Sequence, residues 1–204
     1  MLNVAAVSTK SLKFNRASFT HVTAWQALSR PALVAAPLIL PLLLLCFPTF
    51  AQDTRWRQLA EQVRQLYSQS KYEQAFPLAQ ESLRIAAPTF GPQSRQVATS
   101  LNDLAMVLEA LDRWCEAEAL YKRALTLNET TLGPQHTEVA SNLNNLALLY
   151  LKMDRQPEAR ALLERALSIR EKALGPDNPD TATNAGNLGT VLIAQGKYAE
   201  AEPL

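Results

Sequence analysis

The sequence predicts an all-α protein built as a solenoid of antiparallel helical hairpins. Glycine–proline pairs recur at Gly91, Gly133 and Gly175, each 42 residues after the last. Whole stretches recur with them: Val97-Ala-Thr-Ser-Leu-Asn-Asp-Leu-Ala105, Val139-Ala-Ser-Asn-Leu-Asn-Asn-Leu-Ala147 and Thr181-Ala-Thr-Asn-Ala-Gly-Asn-Leu-Gly189. Within each unit the apolar residues fall at helical spacing. A fixed period of tens of residues marks a repeat architecture and overrides the reading of one ordinary globular core. Such a fold offers a long binding surface.

Residues 1–51 stand apart. They hold four of the chain's 20 basic side chains (Lys10, Lys13, Arg16 and Arg30) and none of its 19 acidic ones. The remainder therefore carries 16 basic against 19 acidic side chains, a net of −3, so nucleic acid is not an expected partner. An uncharged run from Pro31 follows the basic stretch and ends at Thr49-Phe50-Ala51. A positive region, an apolar run and a small-residue end describe a secretory signal peptide cleaved before Gln52. The expected location is thus periplasmic or secreted. The competing expectation is an uncleaved anchor over residues 31–50, long enough to span a bilayer, although Pro37, Pro41 and Pro48 interrupt it. Cys46 lacks the small residues that precede a lipidated cysteine. Cys115 is the only other cysteine, so the mature chain has no internal disulfide.

The units follow in order. Residues 55–96 read as a degenerate first unit, with Leu59, Val63, Leu66, Ala75, Leu78 and Leu83 in loose register and Gln62 where later units have leucine. A more polar outer face suits a terminal repeat. Residues 97–138 form the second unit: Leu101, Leu104, Ala105 and Leu108 give its first helix face, and Ala117, Leu120, Tyr121, Ala124 and Leu125 its second. In the third unit, 139–180, Leu143, Leu146, Ala147 and Tyr150 fall at i, i+3, i+4 and i+7. Met153-Asp154-Arg155 interrupts the pattern. A second helix then runs from about Pro157 to Ala173, with proline in its first turn. Leu174-Gly175-Pro176 ends the unit: glycine suits the left-handed position past a helix end, and proline cannot continue the helix. Asn178, in the register of Ser94, is the expected N-cap of the next helix. Residues 181–204 read as an incomplete fourth unit whose second helix has only begun. A fragment of a longer protein or a truncated reading frame is therefore expected.

The small-residue and leucine pattern resembles the tetratricopeptide repeat: Asn145-Leu146-Ala147 with Tyr150, then Ala159 and Ala166. Its 42-residue period and its "Arg-Ala-Leu-x-Ile-Arg-Glu-Lys-x-Leu-Gly-Pro" phrase look like the kinesin light chain type. The resemblance covers residues 55–204. It implies a right-handed superhelix whose first helices line a concave groove, with a glycine or alanine letting paired helices approach closely. It does not imply motor binding, since an exported chain could not meet kinesin and the repeat type occurs in many bacterial proteins. Gln156 and Pro157 depart from the family's usual tyrosine or phenylalanine, where Trp114 and Tyr198 stand in other units; a less tightly closed hairpin is expected there.

The first helices concentrate Asn102, Asp103, Asn142, Asn144, Asn145, Asn184 and Asn187. Asparagine is a mediocre helix former because its amide competes for backbone hydrogen bonds, so its recurrence needs a reason. The resemblance places Asp103, Asn145 and Asn187 on the groove, where an amide can hydrogen-bond a peptide backbone. The candidate ligand-binding set is Asn102, Asp103, Asn144, Asn145 and Asn187. On this reading Asn145 and Asn187 are exposed on the concave surface, one unit apart; the alternative is that these amides bond to the neighbouring hairpin or to water. His136, the one histidine beyond the leader, reads as a loop residue. The Asn128-Glu-Thr130 sequon falls late in a helix. Glu116 and Glu118 read as solvated surface. No phosphate loop, metal-ligand set or nucleophile motif is present, so no catalytic residue, metal or cofactor is expected.

The functional expectation is an exported, non-enzymatic scaffold for a protein or peptide partner. The alternative is the front portion of a longer protein with a catalytic or effector domain downstream. Self-association through the repeats is a third reading.

Overall fold

The computed structural model describes residues 39–203, with side chains from Ala51 onward. Most of the expected leader lies outside the described residues. Eight helices are described: α1 (Ile39–Ser68), α2 (Tyr72–Phe90), α3 (Arg95–Ala110), α4 (Trp114–Leu132), α5 (Thr137–Lys152), α6 (Gln156–Leu174), α7 (Pro179–Ala194) and the one-turn α8 (Tyr198–Ala201). The described residues contain no strand. None of their helices is long and apolar enough to cross a membrane. Consecutive helices pair as antiparallel hairpins, each hairpin stacks on the next, and first helix α3 also touches first helix α5. The architecture is an all-α, right-handed superhelical solenoid.

Two kinds of turn repeat, each with its own backbone requirement. Inside a hairpin the bend falls on Ser70, Asp112, Asp154 or Gly196, all left-handed, with φ of 56°, 57°, 59° and 72°. The residue after each bend closes the turn. Lys71, Arg113, Arg155 and Lys197 donate their backbone N–H to Leu66, Leu108, Tyr150 and Leu192, five residues back, at 2.8–2.9 Å. This six-residue closure satisfies an otherwise orphaned helix carbonyl. Aspartate and glycine tolerate the left-handed bend at small cost.

Between hairpins the chain turns on Gly91, Gly133 and Gly175. Here the expectation of an ordinary left-handed cap needs correction: Gly133 has φ 89° and ψ 153°, and Gly175 has φ 84° and ψ 165°. Positive φ with extended ψ is open to glycine almost alone. The following proline is the cause, because it excludes the α-type ψ of the residue before it. Ser94, His136 and Asn178 then cap the next first helices. Their side chains accept from the N–H of Val97 at 3.3 Å, Glu138 at 3.2 Å and Asp180 at 2.9 Å. His136 is thus an N-cap rather than a plain loop residue.

Packing follows the small-residue pattern. Ala75, Ala105, Ala117, Ala147 and Ala159 are completely buried within the hairpins, and Ala124 and Ala166 between them. Leu101, Leu143, Leu149 and Leu163 fill the spaces these alanines leave. The α5–α6 hairpin, whose second helix starts at Gln156, packs as closely as the α3–α4 hairpin, whose second helix starts at Trp114, so the expected loosening is absent. Arg155 supplies cover instead: its guanidinium lies 3.9 Å from the Tyr150 ring centroid and bonds to Glu118 and Glu158 at 3.0 Å.

Candidate functional site

The asparagines of the first helices split into two rows. One faces the second helix of the preceding hairpin. Asn128 donates to Asn142 Oδ1 at 2.6 Å, and Arg170, one period after Asn128, donates to Asn184 Oδ1. Asn142 is 4% exposed and Asn184 fully buried. These two side chains are clamps between hairpins. In the first unit Trp56 and Ser82 reach Ser100 at 2.8 and 3.0 Å in the same place. Arg170 also donates to the Asp180 carbonyl at 2.7 Å and to Ser141 at 3.0 Å. Burial holds its guanidinium pKa below the usual value, since removing a cation from water favours its neutral form.

The other row joins one first helix to the next. Asn145 Nδ2 donates to Asn102 Oδ1 at 3.0 Å, and Asn187 Nδ2 to Asn144 Oδ1 at 2.8 Å. Both bonds span one repeat plus one residue. Asn142 also donates to Asn102, at 3.3 Å. Asn102, Asn145 and Asn187 are half-buried, and Asn144 is buried. Asn145 and Asn187 are therefore less open than a freely exposed groove residue, because each holds the neighbouring hairpin. Four of the five candidate residues are brought together in this way, as two linked pairs.

Asp103 is the exception. It is 9% exposed, and its Oδ2 has no hydrogen-bond partner. The residue that would receive it in the ladder is Ala60, which has nothing to offer. Asp103 borders a cavity of about 190 Å³ lined also by Val63, Arg64 and Tyr67 of α1 and Met106 of α3. The Arg64 guanidinium stands 4.0 Å away but donates to Glu61 at 2.8 Å. Burial pushes the Asp103 carboxyl from 3.8 up to about 6, with Arg64 opposing the shift. These lining residues come from two different repeats, so no local motif announces them.

Two acid-centred networks went unread in the sequence. Glu118 accepts from Lys122 at 2.7 Å and from Tyr150 and Arg155 at 3.0 Å, across two hairpins. These donors hold its carboxyl down at about 2. It is not free surface. Glu109 accepts from the Tyr121 hydroxyl at 2.9 Å and from Lys152 at 2.8 Å. Glu109 occurs in one unit only and Arg160 holds the place of Glu118 in the next unit, so the repeat pattern does not announce either network. Asn128 of the sequon is buried and bonded, unavailable for glycosylation. Cys115 is a free, exposed thiol. Among the described residues no group of three His, Cys, Asp or Glu side chains is placed to hold a metal.

Stacked hairpins with alanine-spaced contacts and polar rungs between first helices define a helical-repeat solenoid. The tetratricopeptide repeat family model matches residues 63–130, 101–172 and 138–204. The chain belongs to the tetratricopeptide repeat family. Among solved structures it is similar to BtubC (BKLC) from P. vanneervenii, with 30% identity over 74% of this chain and a TM-score of 0.67. It spans 61% of that protein's length. The TPR-like repeats of a kinesin light chain from Podosopora anserina share the fold at 24% identity, covering 72% of this chain and 70% of theirs, with a TM-score of 0.66. The apo form of RapI shares it at 16% identity, over 72% of this chain and 52% of its own, with a TM-score of 0.63. No curated protein sequence matches the chain.

Proposed function

We propose that this chain is an exported, non-enzymatic scaffold that holds a peptide or partner protein along its first helices. The observation that carries this reading is the ladder of Asn102, Asn144, Asn145 and Asn187. It fixes these amides, Asn144 buried and the other three half-buried, at a spacing set by the repeat, beside the half-buried Met106 and Leu148 of the same first helices. Preorganised amides reduce the ordering cost of binding an extended backbone. A photoreactive phenylalanine at Leu148, which holds in α5 the place of Met106 in α3, should capture the partner in cells. The same group at Arg123, on the exposed side of second helix α4, should not. Equal capture at both places would sink the groove assignment.

Register supports the export half of the reading. The first helices α3, α5 and α7 begin at Arg95, Thr137 and Pro179, and the same register in the first unit falls at Asp53. Packing onto α2 starts there too: Thr89 donates to Gln52 at 2.9 Å, and Trp56 packs edge-on against Phe90 at 5.3 Å. Removal of residues 1–51 would thus leave a first helix of full length. Mass spectrometry of protein from the cell envelope should find an N-terminus at Gln52. An intact leader there would instead support an anchor.

A further inference from the structure

The ladder of side-chain amides has one broken rung. Asn145 and Asn187 each reach back to an asparagine on the preceding first helix, but Asp103 meets Ala60. The unanswered Asp103 borders a cavity of about 190 Å³ between α1 and α3. That volume is below the 300–1,000 Å³ or so typical of small-molecule sites, and it suits one side chain. Its walls are the apolar Val63 and Met106 and the ring of Tyr67. A buried carboxylate oxygen without a donor is costly to the fold. The nearest cation does not cure it: Arg64 is 54% exposed, engaged with Glu61, and 4.0 Å from Asp103.

We propose that this pocket between α1 and α3 takes a lysine side chain of the bound peptide, with Asp103 accepting from the ammonium and Val63, Tyr67 and Met106 flanking the aliphatic stem. The proposal rests on the reading of the first helices as the binding face and names what one position on that face selects. A lysine stem lies comfortably on apolar surface while its head seeks a charge. An anionic side chain is excluded by Asp103. A neutral apolar one would fill the space but leave the carboxylate without a donor. The ammonium brings three donors to a group that has none.

The pocket can be read without the partner. The chain has three methionines, and Met106 lines the cavity. In the full chain labelled at methionine methyls, with Met106→Leu for assignment, titration with n-butylammonium at pH 7.5 should shift the Met106 signal saturably. Met153 should not move, and n-butanol should have no such effect. Asp103→Asn should weaken the response by about tenfold or more, the loss expected for a charge-assisted hydrogen bond. That variant restores the residue type of the other two repeats, so it folds. Arg64→Ala should strengthen the response by removing the competing cation. Absence of a saturable shift, or an equal response with butanol or in Asp103→Asn, overturns the pocket. Random displayed peptides selected on the full chain then separate the two readings. Lysine enriched at one position and lost with Asp103→Asn supports both. Selected peptides without a cation preference overturn the lysine pocket and leave the groove. A butylammonium response with no selectable peptide leaves the pocket and removes the groove.

Discussion

Asn187 donates its side-chain amide to Asn144 on the preceding first helix at 2.8 Å, and Asn145 does the same to Asn102 at 3.0 Å. The bond holds successive hairpins at one spacing along the solenoid. Stability in such a fold is close to a sum of units and their interfaces, so each rung acts locally.

Asn145→Ala should therefore lower stability by about 0.5–1 kcal/mol, a lost hydrogen bond partly offset by the better helix propensity of alanine. Asn102 keeps a donor in Asn142, which limits the cost. Urea unfolding followed by circular dichroism measures it. A loss several times larger would mean that the rung is the main clamp between these repeats, and a groove role for Asn145 would then be hard to test by mutation.

Ala147→Leu should be far worse. Ala147 is completely buried between the helices of its hairpin, and added methylenes force them apart at about 1–3 kcal/mol or more. The same urea series should show the midpoint dropping well below that of Asn145→Ala. A near-native midpoint would mean that the hairpin has slack.

Gly175→Ala tests the turn between hairpins. Nothing stands within 4 Å of an added Cβ there, so the cost is purely conformational. With φ 84° and ψ 165°, it should be about 1–3 kcal/mol. Thermal unfolding of the variant reads it, and an unchanged midpoint would show that the turn relaxes to another geometry.

Acid should act on Asp103 in an unusual direction. Its carboxyl lies at about 6 in the folded protein against 3.8 ordinarily. The folded state then holds the proton more tightly than the unfolded chain. The stability it contributes is full below 3.8 and is lost as pH rises through about 6. The contribution is on the order of 2–3 kcal/mol. Asp103→Asn should raise the urea midpoint at pH 7.5 and leave it nearly unchanged at pH 4. A variant that is less stable than the wild type at pH 7.5 would show that Arg64 compensates the buried charge.

The sequence by itself determined the period, the hairpins and the buried faces. Leu143, Leu146, Ala147 and Tyr150 are all buried as their spacing requires, because helical periodicity and a tiled repeat are local properties. The glycines were legible as turns, though their extended ψ came from the proline that follows each one. Only the tertiary structure divided the asparagines. Asn142 and Asn145 lie three residues apart on one helix and both reach Asn102 on the preceding first helix, yet only Asn142 is also locked under the preceding second helix, by Asn128. Glu118 looks like surface in the chain and is enclosed by donors from two hairpins. Asp103 lacks a ladder partner because Ala60, one repeat and one residue earlier, offers no side chain to bond, and its cavity is walled by residues of two repeats. Each of these depends on which residues of different repeats are brought opposite one another, a relation set by hairpin stacking and carried by no single stretch of sequence.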